Sequence, residues 1–99
     1  MLLVDRMAEP HVEVFEEEQA LVVLAELPGA REEDIDVQVN GDVLTLSTGP
    51  TPDGRRYYRE LLLPFPVSPD NVQRALHNGV LELELCRAPS HAGAVRTQP

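Results

Sequence analysis

The sequence predicts an all-β sandwich of about seven antiparallel strands, and three observations predict it. Apolar and polar residues alternate with a period of two, most clearly in Ile35-Asp36-Val37-Gln38-Val39 and Leu81-Glu82-Leu83-Glu84-Leu85. A helix would scatter those three leucines over opposite faces, whereas a strand points them all one way. Nine Pro and six Gly punctuate 99 residues, leaving Val- and Leu-rich runs too short for helices. The runs recur at intervals of roughly ten residues, the spacing of sandwich strands.

Taken in order, His11–Phe15 is a first strand, ended by Glu16-Glu17-Glu18. Ala20–Leu27 is almost continuously apolar, as expected of a strand buried on both faces or at a sandwich centre, and Pro28-Gly29 stops it. Arg31–Asp34 reads as a single helix-like turn before the strand Ile35–Val39. Asn40-Gly41 then separates that strand from Val43–Ser47, a hairpin signal that implies a type I′ turn with positive φ at both residues. After the connector Thr48–Gly54, Arg56–Leu63 is a long strand closed by Pro64 and Pro66. Val72–Leu76 is a short strand before Asn78-Gly79, where a tight turn needs positive φ, and Leu81–Leu85 is the last. Residues 1–10 and 88–99 lack periodicity and read as flexible tails around one domain spanning 11–87.

Composition narrows the function classes. The chain is 42% hydrophobic, enough for one core, and carries a formal charge of −9. Phosphate backbones and anionic membranes would repel it, so neither nucleic acid nor a membrane is an expected partner. The longest apolar run, Ala20–Ala25, is far short of the roughly 20 residues of a membrane helix. Asp5 and Arg6 interrupt the only apolar N-terminal residues, so no signal-peptide core is present, and the expected compartment is the cytoplasm. Cys86 is the single cysteine, which excludes an internal disulfide and suits a reducing compartment. His11-Val12-Glu13 has the His-x-Glu spacing of zinc deaminases, but that chemistry also needs a Pro-Cys-x-x-Cys partner. His77, Cys86 and His91 are irregularly spaced for a metal site. With no nucleophile constellation and no nucleotide loop, the expectation is a non-enzyme without cofactor, metal or small-molecule substrate.

Three ordered blocks carry a family resemblance. Glu26-Leu27-Pro28-Gly29, Glu33-Asp34-Ile35 and Asn40-Gly41-Asp42-Val43-Leu44 look like the first half of an α-crystallin domain. Tyr57-Tyr58-Arg59-Glu60-Leu61-Leu62-Leu63-Pro64 resembles that family's aromatic–Arg–Leu–Pro strand, and Asn78-Gly79-Val80-Leu81 matches the end of its diagnostic motif. The chain therefore resembles a small heat-shock protein over roughly residues 11–87. The resemblance implies an immunoglobulin-like sandwich and an ATP-independent chaperone that holds unfolding clients on hydrophobic strand edges or a groove. The alternative is a non-chaperone interaction or co-chaperone module docking on one defined partner.

Departures from the family pattern sharpen the expectations. The motif's alanine falls at Arg74. The connector Thr48–Gly54 is too short to swap onto a partner subunit, and 87–99 lacks the usual Ile-rich anchor. The expected assembly is accordingly a homodimer rather than a large particle. By resemblance, Val37, Val39, Val72 and Leu76 lie on the strands of the family's peptide groove, although alternating valines also suit a plain core. Tyr57, Tyr58 and Arg59 fall on the dimer-edge strand, where opposite-facing tyrosines leave at least one in the core. Arg59 either meets an acidic group on the partner or pairs within its own chain.

Overall fold

A computed structural model describes residues 6–89. Eight strands are present: β1 (Arg6–Ala8), β2 (Val12–Glu16), β3 (Ala20–Glu26), β4 (Ile35–Asn40), β5 (Val43–Thr48), β6 (Arg55–Leu62), β7 (Val67–His77) and β8 (Val80–Arg87). They form two four-stranded sheets, ordered β1-β6-β5-β4 and β2-β3-β8-β7. Every ladder is antiparallel except the short parallel one between β1 and β6. The only helical element among the described residues is the 3₁₀ turn Glu32–Asp34, where the acidic Arg31–Asp34 run predicted one.

The period-two pattern places the core between the sheets. Leu21, Val23 and Ala25 of β3 and Leu81, Leu83 and Leu85 of β8 are all fully buried. Leu44 and Leu46 of β5 and Tyr57 of β6 close on them from the opposite sheet. Burying each leucine contributes roughly 1.5–3 kcal/mol. The outward set of β8, Glu82 and Glu84, faces solvent. Of the two readings its apolar run allowed, β3 takes the second, a central strand of its sheet buried on one face. Val22 and Leu24 remain half-exposed on the outer surface, opposite Glu84 and Glu82.

Three local expectations are corrected. Arg6–Ala8, assigned by sequence to a tail, is a strand beside the start of β6. Three residues with no apolar alternation carry no periodic signal of their own. β7 runs over eleven residues, with a register shift between Val67 and Val72. Pro69 lies within that shift, and a missing N–H is tolerated at a bulge on an edge strand. The predicted type I′ turn at Asn40-Gly41 is also different. Asn40 pairs with Val43, so the central residues are Gly41 and Asp42, and only Gly41 has positive φ (65°). That is the type II′ pattern. Both residues are left-handed instead at Asn78 (φ 52°) and Gly79 (φ 79°), between β7 and β8.

Two substitutions test this packing. Leu83→Ala should destabilise by about 2–5 kcal/mol in urea unfolding, while Leu62→Ala on the open surface should cost almost nothing. At Gly79, a Cβ would combine a strained φ with a 3.4 Å approach to Pro28 Cα. Gly79→Ala should therefore cost about 1 kcal/mol or more.

Candidate binding groove and strand edges

The sandwich leaves strand edges, and alternation says which backbone groups they offer. β4 ends its sheet. Gly49 N–H donates to Asp34 O at 3.1 Å on the β5 side, and the same ladder continues through the even-numbered residues of β4. The N–H and C=O groups of Val37 and Val39 consequently point outward, while the Ile35 N–H donates to Glu32 O. β7, the edge of the other sheet, lies across from them. Between the two edges is a groove of about 450 Å³ lined by Val37, Gln38, Val39, Pro69, Val72 and Arg74. Val37, Val39 and Val72 are half-buried, with one side against the core and the other toward the groove. Leu76, placed in the same set by sequence, packs against the core and is not in the groove lining.

Arg74 closes one end. Its Nη2 donates to Ile35 O at 3.0 Å and to Glu32 O at 3.3 Å, crossing from β7 to the opposite sheet. An alanine at this position could make neither bond. Sequence comparison with the family motif found the substitution, but only the crossing of two edges shows what the guanidinium reaches.

β6 presents a second edge. Tyr57 N–H donates to Thr48 Oγ1 (3.1 Å) and Leu63 N–H to Asp42 O (2.7 Å), both toward β5. The amides of Tyr58, Glu60 and Leu62 therefore point the other way. β1 occupies this edge only over Arg55–Tyr57. Tyr58 is 44% and Leu62 77% exposed on the outer face. Tyr57 is buried, and its hydroxyl donates to Pro28 O at 2.9 Å. Arg59 is held within its own chain: Nη1 donates to Pro10 O at 3.0 Å and Nε lies 3.8 Å from Glu9. Of the three edge residues named from sequence, Tyr58 is the one whose side chain faces solvent.

The signature residues converge on a junction between the sheets rather than on a binding surface. Leu27 N–H donates to Gly79 O at 2.7 Å, Pro28 packs on Gly79, and Thr51 packs against Gly29. Val80 and Leu81 follow as the start of β8, opposite Glu26 and Ala25. The connector is tied to this junction through Tyr57. Thr51 Oγ1 donates to Asp53, Asp53 accepts from Arg55 Nη2 at 2.8 Å, and Arg55 Nη1 donates to the Tyr57 hydroxyl at 3.0 Å. The Thr51 hydrogen bond is the main influence holding the Asp53 carboxyl below its ordinary 3.8, with Arg55 adding to it.

Among the described residues, no group of three His, Cys, Asp or Glu could hold a metal. His91 lies outside them. No helix among them is long and apolar enough to cross a membrane.

A carboxyl depressed on folding stabilises the fold above its unfolded value, and the contribution is lost as pH falls through the folded value. Wild type should accordingly be more stable than Asp53→Asn at neutral pH. The difference should shrink steadily as unfolding is measured below pH 3.8.

Comparison with known proteins agrees with this geometry. A model of the Hsp20/alpha crystallin family matches residues 13–97. Spore protein SP21 of Stigmatella aurantiaca is 36% identical, over 81% of this chain and 56% of its own. The chain thus spans little more than half the length of that relative. A probable 15 kDa heat shock protein of Leptospira interrogans is 31% identical, over 81% of this chain and 71% of that one. Among solved structures, heat shock protein 16.0 of Schizosaccharomyces pombe superposes with a TM-score of 0.71 at 22% identity, covering 85% of this chain and 70% of that one. HspA of Xanthomonas axonopodis gives 0.71 at 25% identity, covering 84% and 97%. The eight-strand sandwich is thus that of an α-crystallin domain, and the chain belongs to the Hsp20/alpha crystallin family of small heat-shock proteins.

Proposed function

We propose that this protein is an ATP-independent holdase that binds unfolding clients along its open strand edges. The observation that carries the reading is the β4–β7 groove. There, half-buried Val37, Val39 and Val72 lie beside the outward amides of Val37 and Val39. An extended client segment would add as a strand to β4, its backbone completing the ladder and its apolar side chains entering the groove. Exposed carboxylates around the sandwich keep the same edges from pairing indiscriminately. The single cysteine supports a reducing compartment, and the cytoplasm is the proposed one.

The homodimer is proposed to form through β6. The outward amides of Glu60 and Leu62 can pair with their own copies across a twofold axis, beyond the stretch that β1 covers. Tyr58 would then meet a cross-strand neighbour, an arrangement in which aromatic side chains add to sheet pairing.

Light scattering of a heat-stressed client should show aggregation suppressed without ATP. Suppression should persist at raised salt, because apolar burial supplies the binding. Its loss at moderate salt would remove the groove reading, and a lysate pull-down returning one stoichiometric partner without suppression would favour a dedicated docking module. In solution, size exclusion with light scattering should report a dimer that Tyr58→Glu shifts toward monomer. A stable particle of more than about ten chains would contradict the two-fold edge pairing.

A further inference from the structure

Arg74, like Arg87, gives its side-chain hydrogen bonds to backbone carbonyls, whereas three other arginines of this acidic chain face carboxylates. Arg31 faces Glu33 and Asp34, Arg55 faces Asp53, and Arg59 faces Glu9. Arg74 makes hydrogen bonds to two backbone carbonyls through Nη2 and has no carboxylate partner among the described residues. A guanidinium carries five N–H donors and keeps its charge at any physiological pH. In the nearby acidic turn Glu33 and Asp34 face Arg31, and Arg74 meets that turn through the Glu32 carbonyl rather than through a carboxylate. A cation thus lines the groove inside a molecule of net charge −9.

Its place along the groove is defined by the register of β4. Val37 and Val39 point their amides outward, and Arg74 caps the carbonyl of Ile35. A strand adding to β4 can therefore pair with Val37 and Val39 but meets the guanidinium at the Ile35 end. Residues on one face of a strand repeat every 6.6–6.8 Å or so, so the next such side chain of the added strand comes level with Arg74. We propose that the groove selects extended segments that carry a carboxylate beside their apolar pair: two apolar side chains one residue apart, and an Asp or Glu at the end reaching Arg74. The selection rests on the reading of the groove as the client site and adds the class of segment it takes. Charge-assisted, bidentate bonds from Arg to a carboxylate supply the preference. The overall field of the protein opposes it, so a preference for the acidic segment can arise only from a local cation.

Fluorescence anisotropy with two labelled peptides tests this, Glu-Gly-Val-Thr-Val-Gly-Glu and its twin with both Glu replaced by Gln. Acidic residues on both flanks make the result independent of strand direction. The wild-type protein should bind the Glu peptide about fivefold more tightly, and the ratio should fall toward one at high salt. In Arg74→Gln the ratio of the two affinities should be one or less, whatever the absolute affinity, and Arg74→Lys should keep part of the preference. Equal binding of both peptides by wild type overturns the inference while the groove stands. A preference that survives Arg74→Gln, or one that salt leaves unchanged, overturns it too. If neither peptide binds, the groove itself is not the site and the inference falls with it. The salt titration uses wild-type protein only, so the outcome holds even where Arg74→Gln fails to fold.

Discussion

The register between β3 and β8 is the constraint on which the rest of the sandwich depends. Leu21 faces Leu85, Val23 faces Leu83 and Ala25 faces Leu81, and all six are completely buried. A slip of one residue would turn that set to solvent and bring Glu82 and Glu84 into the core. The penalty for burying unpaired carboxylates makes such a slip prohibitive. With this pair in place, β2 and β7 add on either side, and the opposite sheet has one apolar surface to cover.

What joins the sheets besides that surface is a small set of polar ties. The Tyr57 hydroxyl reaches Pro28 O, and Arg74 reaches the carbonyls of Glu32 and Ile35. The first sits at the signature residue Pro28, beside Gly79, whose positive φ disfavours any side chain there. The second lies beside the groove. Arg74 thus ties β7 to the opposite sheet while it also lines the groove.

A sandwich, unlike a closed barrel, must leave strand edges. The strands that leave edges differ in how they are covered. β6 is partly covered by β1, β4 and β7 face one another across the groove, and β2 is bordered by Glu17 and Glu18. Exposed Tyr58 and Leu62 lie on β6, and exposed Phe15 on β2. Acidic side chains around these apolar positions provide solubility without closing them.

Period two and turn chemistry made most strands legible in the sequence, because each residue's face follows from its neighbours two positions away. Ile35–Asn40, Val43–Thr48 and Val80–Arg87 could be read that way from local pattern alone. β1 could not, since three residues acquire strand conformation only when β6 is there to pair with them. The extension of β7 through Pro69 was hidden for a similar reason: its position on an edge, where a missing donor costs little, is a tertiary fact. At the candidate site, the sequence supplied Val37, Val39 and Val72 as residues of two strands. It could not tell Leu76 from them, because all four share the same alternation and only the spacing of the sheets decides which reach the groove. Tyr57 and Tyr58 were known to face opposite ways. Which one is buried depended on the side from which the second sheet packs. The sequence by itself determined the faces, where most strands stop and the acidic surface, all properties of neighbours along the chain. The tertiary structure alone decided the edges, the groove between them and the reach of Arg74, because these arise where residues 39 and 42 positions apart are brought within hydrogen-bond distance.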